Sequence, residues 1–446
     1  MAPSLGIPDD AIIQIAFHLQ DPSHLFAWLE ALGPALRPDP LECLWKLGLT
    51  KQHADLWPQL VISMDDLSLD PTTRSALESI AKYYTDVRLI NFVDLPWLHS
   101  NLHPLALQTW HFDSDIPTSP PFSWTIWASM RITRLYLSDL SDDMILVEIL
   151  SQLHHLTAFQ LNLPSGCRVE IPIESILAWA ASSAQLTELE LFTPCASIRL
   201  TERMVSHLVD WFQRQPVRVF GFSYWGFHHQ VNDPDVVHAF YSTLFNCPTM
   251  DLLTCHFIDL NGVNWTDLTI STRRFELSAC NMSSDIVTAL ATQLTNSARL
   301  EHFILHGYDD PNMAGIEHFF SVVPRMLSLK VLDLSYCHFE SKTAWQTLAP
   351  LVQAFQVDTL IFCGVKLTPN AAQWLAHALL ANDNIQALDI RYNYVGFEGA
   401  KTLIQTNLKR RVRLVSIRLE YNSIRQCEKP LLQDVATQCG VQILTL

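Results

Sequence analysis

One six-residue pattern, apolar-x-x-apolar-x-apolar, recurs along most of this 446-residue chain. Clear copies are ITRLYL (from Ile132), LTAFQL (Leu156), LTELEL (Leu186), VRVFGF (Val217), LEHFIL (Leu300), LKVLDL (Leu329), VDTLIF (Val357), IQALDI (Ile385), LVSIRL (Leu414) and VQILTL (Val441). Weaker copies start at Tyr84, Leu107, Met250 and Thr272. From Thr272 onward the first positions step by 28, 29, 28, 28, 29 and 27 residues. A period that steady means one supersecondary unit repeated, none of which can bury its apolar side without a neighbour.

Each unit has a physical reading. The alternating second half of the pattern suits a strand with one buried face. About ten residues later comes a helical signal, as in Asn370–Leu380, where Ala371, Leu375, Ala378 and Leu379 recur at helical spacing, and in Glu398–Ile404. The unit is therefore strand, turn, helix, turn. Helices are about 10 Å wide and strands about 4.8 Å apart. Stacked coils should bend into a horseshoe, an α/β solenoid with a parallel sheet on the concave face and helices on the convex face. Between 193 and 275 the spacing breaks to 33 and then 22 residues, which leaves the register there open. Ser114–Trp124 is rich in Pro and Ser and reads as a loop inserted in an early repeat. The last copy has no helix after it, so its strand would be an edge shielded by preceding loops or paired by another chain, unless the sequence is incomplete.

Where the chain must turn after the strand, two repeats carry Asn393 and Asn422, and two others carry Cys280 and Cys337. An inward amide at that place can pair backbone groups of adjacent coils. Asn or Cys there, after this strand pattern, resembles the leucine-rich repeat. The period with a full helix resembles its ribonuclease-inhibitor-like subclass. The resemblance spans residues 84–446.

Residues 1–60 lack the repeat, and 61–83 read as a connector or capping segment. Asp9 and Asp10 open a helix whose dipole favours them. Ile12, Ile15 and Leu19 form its apolar stripe, and Pro22 ends it, with Asp21 or Ser23 able to cap the next helix. Leu25, Phe26, Trp28, Leu29 and Leu32 mark the second helix, and Leu41, Leu44, Trp45 and Leu47 the third. This all-α module resembles an F-box, matching Ile7-Pro8, the acidic pair, Ile12, Ile15, Leu19, Leu25 and Leu44-Trp45. It departs from that family in the middle, where EALGPALRP replaces the usual Cys-basic-x-Trp stretch. The resemblance implies docking to a Skp-type adaptor of a cullin–RING ubiquitin ligase through Pro8, Ile12, Ile15, Leu19, Leu25 and Trp45. The alternative is that these helices only cap the solenoid.

Composition narrows the function. With 45 acidic against 29 basic residues the net charge is −16, which disfavours a general nucleic-acid or anionic-membrane binder. No run of 18 apolar residues suggests a membrane span, and MAPSLGIPDD lacks the pattern of a secretory signal. A reducing compartment, cytoplasm or nucleus, is the expectation, with the ten scattered cysteines free. Glycine-rich phosphate loops and HExxH are absent. GFSYWG (Gly221–Gly226) misses the nucleophile-elbow spacing and falls on a repeat strand. His154-His155, His228-His229 and Cys255-His256 each lack a second pair at metal spacing. The expectation is a non-enzyme without cofactor or metal. Its partner surface is the outward positions of the late strands and the tyrosines after them: Asp333, Tyr336, Asp389, Arg391, Tyr392, Arg418, Glu420 and Tyr421. Earlier strands add Glu188, Glu190, Phe192, Arg274, Glu276, His302 and His306. The expected function is a substrate receptor for ubiquitin ligation, or a repeat scaffold with no ligase link.

Overall fold

The computed structural model describes residues 8–68, 70–113, 123–139, 143–164, 171–193, 198–229, 231, 233–310, 312–339 and 344–446. Ile7, most of the Ser114–Trp124 loop, Cys167 and Cys195 lie outside them. The chain forms two compact units, Met1–Cys195 and Ala196–Leu446.

The first unit opens with helices α1 (Asp9–His18), α2 (Pro22–Leu32), α3 (Asp39–Gly48) and α4 (His53–Leu56). Asp21 caps α2, its carboxylate accepting from the His24 N–H at 3.0 Å, and Gly33 ends that helix in a positive-φ conformation. Six parallel strands follow: β1 (Leu60–Ser63), β2 (Asp86–Ile90), β3 (Leu107–Phe112), β4 (Ile132–Leu137), β5 (Ala158–Asn162) and β6 (Glu188–Phe192), each paired with the next. β1 thus begins the sheet inside the segment read as a connector. Tyr84, Trp110, Phe112, Trp127 and Phe159 are fully buried in the core, with Trp110 edge-on to Trp127 at 5.5 Å.

In the second unit, β7 (Ile198–Leu200) and β9 (Trp225–Phe227) pair with each other as a separate two-stranded sheet. The main sheet runs through β8 (Val219–Ser223), β10 (Leu252–His256), β11 (Arg274–Ser278), β12 (His302–His306), β13 (Val331–Asp333), β14 (Thr359–Ile361), β15 (Ala387–Asp389), β16 (Ser416–Arg418) and β17 (Ile443–Thr445), all parallel. The broken period now has a cause. β9 lengthens the coil between β8 and β10, and the 17 residues between β10 and β11 hold no helix, only two turns and one residue, Asp259, bridged to Asn281 past β11. GFSYWG spans β8 and β9, as a strand reading requires.

Parallel neighbours need crossovers, and helices supply most of them. One apolar residue per strand points into the core at matched register: Phe275, Phe303, Leu332, Leu360, Leu388 and Ile417, none more than 1% exposed. The helices of successive coils pack on one another. The inward asparagines do what the sequence suggests. Asn393 Nδ2 donates to Phe362 O (2.7 Å) of the preceding coil and to Ile390 O (2.9 Å) of its own. Asn422 Nδ2 donates to the same Ile390 O (2.7 Å) and to Leu419 O (3.0 Å). Cys280 and Cys337 repeat the motif with thiols, toward Cys255 O (3.3 Å) and Leu305 O (3.2 Å). The fold is an α/β leucine-rich-repeat solenoid.

Candidate functional site

Two places can present side chains to a partner. The first is the N-terminal module. Pro8 is exposed and Ile15 is 48% exposed, whereas Ile12 and Leu25 are buried and Leu19 and Trp45 half-buried. The apolar stripe that α1 buries is Ile12, Ile13 and Ala16, one residue off the Ile12–Ile15–Leu19 line read from the sequence. Phe17 decides the rotation, its ring lying against Trp57 (4.9 Å), Tyr84 (5.4 Å) and Tyr83 (5.7 Å). Leu19 contributes its carbonyl to Trp57 Nε1. Trp45 lies under the Arg37 guanidinium at 4.5 Å, and that arginine is fixed by Glu42 at 2.7 Å and by Leu29 O at 2.9 Å.

The second place is the sheet face of the second unit that the core does not use. Asp389, at the end of β15, anchors a polar group there and is 5% exposed. Arg391 grips both its oxygens (Nε to Oδ1 2.9 Å, NH2 to Oδ2 2.8 Å), Arg418 stands 3.5 Å away, and the Cys363 thiol donates at 3.1 Å. Glu420, half-buried, flanks Arg391 electrostatically. Further along, His306 Nε2 faces Asp333 at 3.0 Å and His256 Nε2 faces Glu276 at 3.4 Å. His302 and the exposed Arg274 stand in the same strands. Among the described residues no three His, Cys, Asp or Glu side chains come together as metal ligands.

The tyrosines belong to a feature the strand pattern does not reveal. A residue with positive φ follows nine of the strands: Asn91, Tyr224, Phe257, Ala279 and Gly307 directly after β2, β8, β10, β11 and β12, and Tyr336, Gly364, Tyr392 and Tyr421 three residues after β13, β14, β15 and β16. That left-handed residue turns the chain out of the sheet, a conformation that costs a non-glycine residue energy. Stacking against the next coil offsets part of it. Tyr392 lies on Tyr421 (4.5 Å, 8°) and Tyr224 on Phe257 (4.4 Å, 8°). Gly364 is small because the Tyr336 ring occupies its place; a Cβ there would come within 2.6 Å of the ring. Tyr336, Tyr392 and Tyr421 are 50%, 47% and 71% exposed, so each ring has a packed side and an open side.

No protein-family model matches the chain, and no curated protein does. Solved structures to which it is similar include an internalin from Listeria monocytogenes (12% identity, TM-score 0.36, 92% of this chain and 94% of that one). Others are a protein from Bacteroides fragilis (13%, 0.38, 67% and 76%) and TLR13 in its complex with ssRNA13 (14%, 0.39, 79% and 51%). This chain thus spans about half of the TLR13 chain.

The polar cluster has a signature in pH. Burial pushes the Asp389 carboxyl up, but its bonds from Arg391 and Cys363 outweigh burial and hold it below its ordinary value. A carboxyl lower in the folded than the unfolded state adds stability at neutral pH, lost as pH falls through the folded value. Burial lowers the His306 pKa, yet Asp333 and then Glu276 more than reverse this and leave it raised. Its contribution has the opposite sign, present in acid and lost as pH rises through the raised value. Asp389→Asn is expected to flatten the acid side of the stability profile and leave the neutral-to-alkaline side unchanged, measured by urea unfolding across pH. An unchanged acid side would mean that Asp389 is no more stabilised as an anion than in the unfolded chain.

Proposed function

We propose that the protein is a non-catalytic protein-interaction protein and, more specifically, an F-box-type substrate receptor of a cullin–RING ubiquitin ligase. Residues 1–60 would hold a Skp-type adaptor and the repeats a protein substrate, in the cytoplasm or nucleus, with no nucleic acid, membrane or cofactor involved. The coil length of 28–29 residues with a full helix supports the ribonuclease-inhibitor-like subclass. Tethering by itself would accelerate transfer, because it raises effective concentration without chemistry from this chain. The observation that carries the adaptor reading is the exposed Pro8, just before α1, and Ile15 on it, apolar groups left open by a helix whose other side is packed on Trp57 and Tyr84. For substrate capture the supporting observation is the half-open tyrosine row beside the Asp389 cluster, since amphipathic aromatics suit recognition surfaces.

A second reading has its own support. Ile12 and Leu25 are buried, and α3 packs against the Pro71–Ile80 helix, as a solenoid cap would. Ile15 separates the two readings, because its exposure lets it be changed without opening the core. Co-expressed with a Skp-type adaptor, the full chain is expected to co-purify with it. Ile15→Asp combined with Pro8→Ala should reduce recovery at least tenfold, the loss of a hot-spot contact of about 2 kcal/mol, while the thermal melt stays put. A folded wild-type chain that retains no adaptor would leave the cap reading and a repeat scaffold without a ligase.

A further inference from the structure

The sheet of the first unit carries a cationic cluster that none of the expectations above includes. Parallel register places Val61, Arg88, Thr109, Arg134, Ala158 and Glu188 in one row across five strand pairs, on the face opposite the buried Leu60, Val87, Leu89 and Leu135. Only Thr109 stands between Arg88 and Arg134, whose backbones are therefore about 10 Å apart, two strand spacings. His111, two residues beyond Thr109, faces the same way and lies flat on Tyr136 at 4.2 Å and 6°.

The two arginines are incompletely used. Arg88 Nε and Arg134 Nε are both buried, and neither has a hydrogen-bond acceptor. Arg134 spends its NH2 on Glu188 and also meets the Tyr136 hydroxyl; among the described residues the Arg88 guanidinium has no ion-pair partner. The other acids nearby are engaged, Asp86 by Gln59 and Asp113 by Asn91. The field of the pair is felt at His111. Burial and then Arg88 push its pKa down to about 4, against an upward pull from Asp113 that is itself partly offset by a smaller push from Arg134, so the imidazole is neutral at physiological pH. A buried donor without an acceptor is unfavourable, and a guanidinium is shaped to meet an oxyanion with two parallel bonds. In a chain of net charge −16 such a cluster is a local exception, too small for a polyanion but suited to one anionic group.

We propose that Arg88 and Arg134, flanking Thr109, form a recognition site for an oxyanion, carboxylate or phosphoryl, displayed on an acidic segment of a partner protein. The site rests on the reading of the repeats as the partner-binding part and not on adaptor docking.

The test uses the full chain and four probes: a neutral capped glycine–serine heptapeptide, the same peptide with its serine phosphorylated, the same peptide with Glu in place of that serine, and inorganic phosphate. One or both anionic peptides are expected to bind, by calorimetry, at least tenfold more tightly than the neutral one; which of them binds better identifies the oxyanion. Arg88→Gln should weaken that binding at least tenfold, Arg88→Lys by less, and Arg218→Gln, an exposed pair to Asp251 in the other unit, not at all. Should Arg88→Gln fail to fold, the wild-type chain still answers, because a bound anion must raise the His111 pKa, read from its ring-proton titration by NMR. Binding that survives Arg88→Gln, an unmoved His111, or equal affinity for the neutral peptide would overturn the site. Free phosphate binding as well as the phosphopeptide would overturn the partner segment. Adaptor co-purification is expected to be unchanged in Arg88→Gln, so the two proposals fail separately.

Discussion

Asn393→Ala is expected to lower stability by about 3 kcal/mol, at about 1–3 kcal/mol for each buried group left unpaired. Asn393 is 2% exposed and its amide serves four backbone groups. Its nitrogen donates to Phe362 O, Ile390 O and Arg391 O, and its oxygen accepts from Leu367 N at 2.8 Å. Alanine leaves these groups without the amide, in a core where water is not a substitute. Asn393→Asp should be worse at neutral pH, because a carboxylate cannot donate and would face three carbonyl oxygens. Its deficit should shrink as pH falls, since burial raises such a carboxyl and the protonated form regains one donor. Urea unfolding of both variants across pH checks the order. Equal losses for Ala and Asp at neutral pH would mean that the donated bonds are not what matters. The loss should be regional, because coils in a solenoid depend mainly on their neighbours. Hydrogen exchange should accelerate first in β14, β15 and β16.

Trp110→Ala is the second large effect, with an expected loss of about 3–5 kcal/mol, the range for a large aromatic removed from a core. Trp110 is fully buried in β3, edge-on to Trp127 and 5.7 Å from Phe112, with its indole N–H donated to Gln108 Oε1 at 3.0 Å. Truncation opens a cavity between sheet and helix and strands the Gln108 oxygen. Trp110→Phe keeps most of the ring and should cost less than half as much. Thr109 and His111 flank Trp110 on the opposite face of the same strand, so the alanine variant should also weaken anion binding through loss of strand order. Unfolding curves with peptide titrations test both. A loss below 1 kcal/mol would mean that the site collapses to refill the space.

The α/β coil was legible from the period alone, because a strand-and-helix unit of fixed length can be buried only by copies of itself. The asparagine role was legible too. An amide at the one place where each coil must turn inward has little else to bind, and Asn393 and Asn422 bind as expected. A second set went unread. Asn382 and Asn407, buried after their helices, hold carbonyls of adjacent coils at 2.8–3.2 Å, and the buried Arg410 reaches Leu379 O. The repeat pattern does not mark these residues, because only the folded turn shows which carbonyls lack donors.

The same division holds for the candidate sites. Sequence alone determined which residues leave the strands on the outward face, since alternation fixes this for Asp333, Asp389 and Arg418 alike. It could not determine that Asp389 is the buried anchor of the group, nor that the tyrosines stand in left-handed turns, because both follow from neighbouring coils coming together. On α1 the helical period fits two stripes nearly equally, and Phe17 against Trp57 and Tyr84 selects the one that leaves Ile15 open. Arg88 and Arg134, 46 positions apart in sequence, meet across Thr109 only because parallel register makes distant positions into neighbours. Periodicity is a local property and the sequence determined it; the pairing of charges and rings depends on register between coils, and only the tertiary structure decided that.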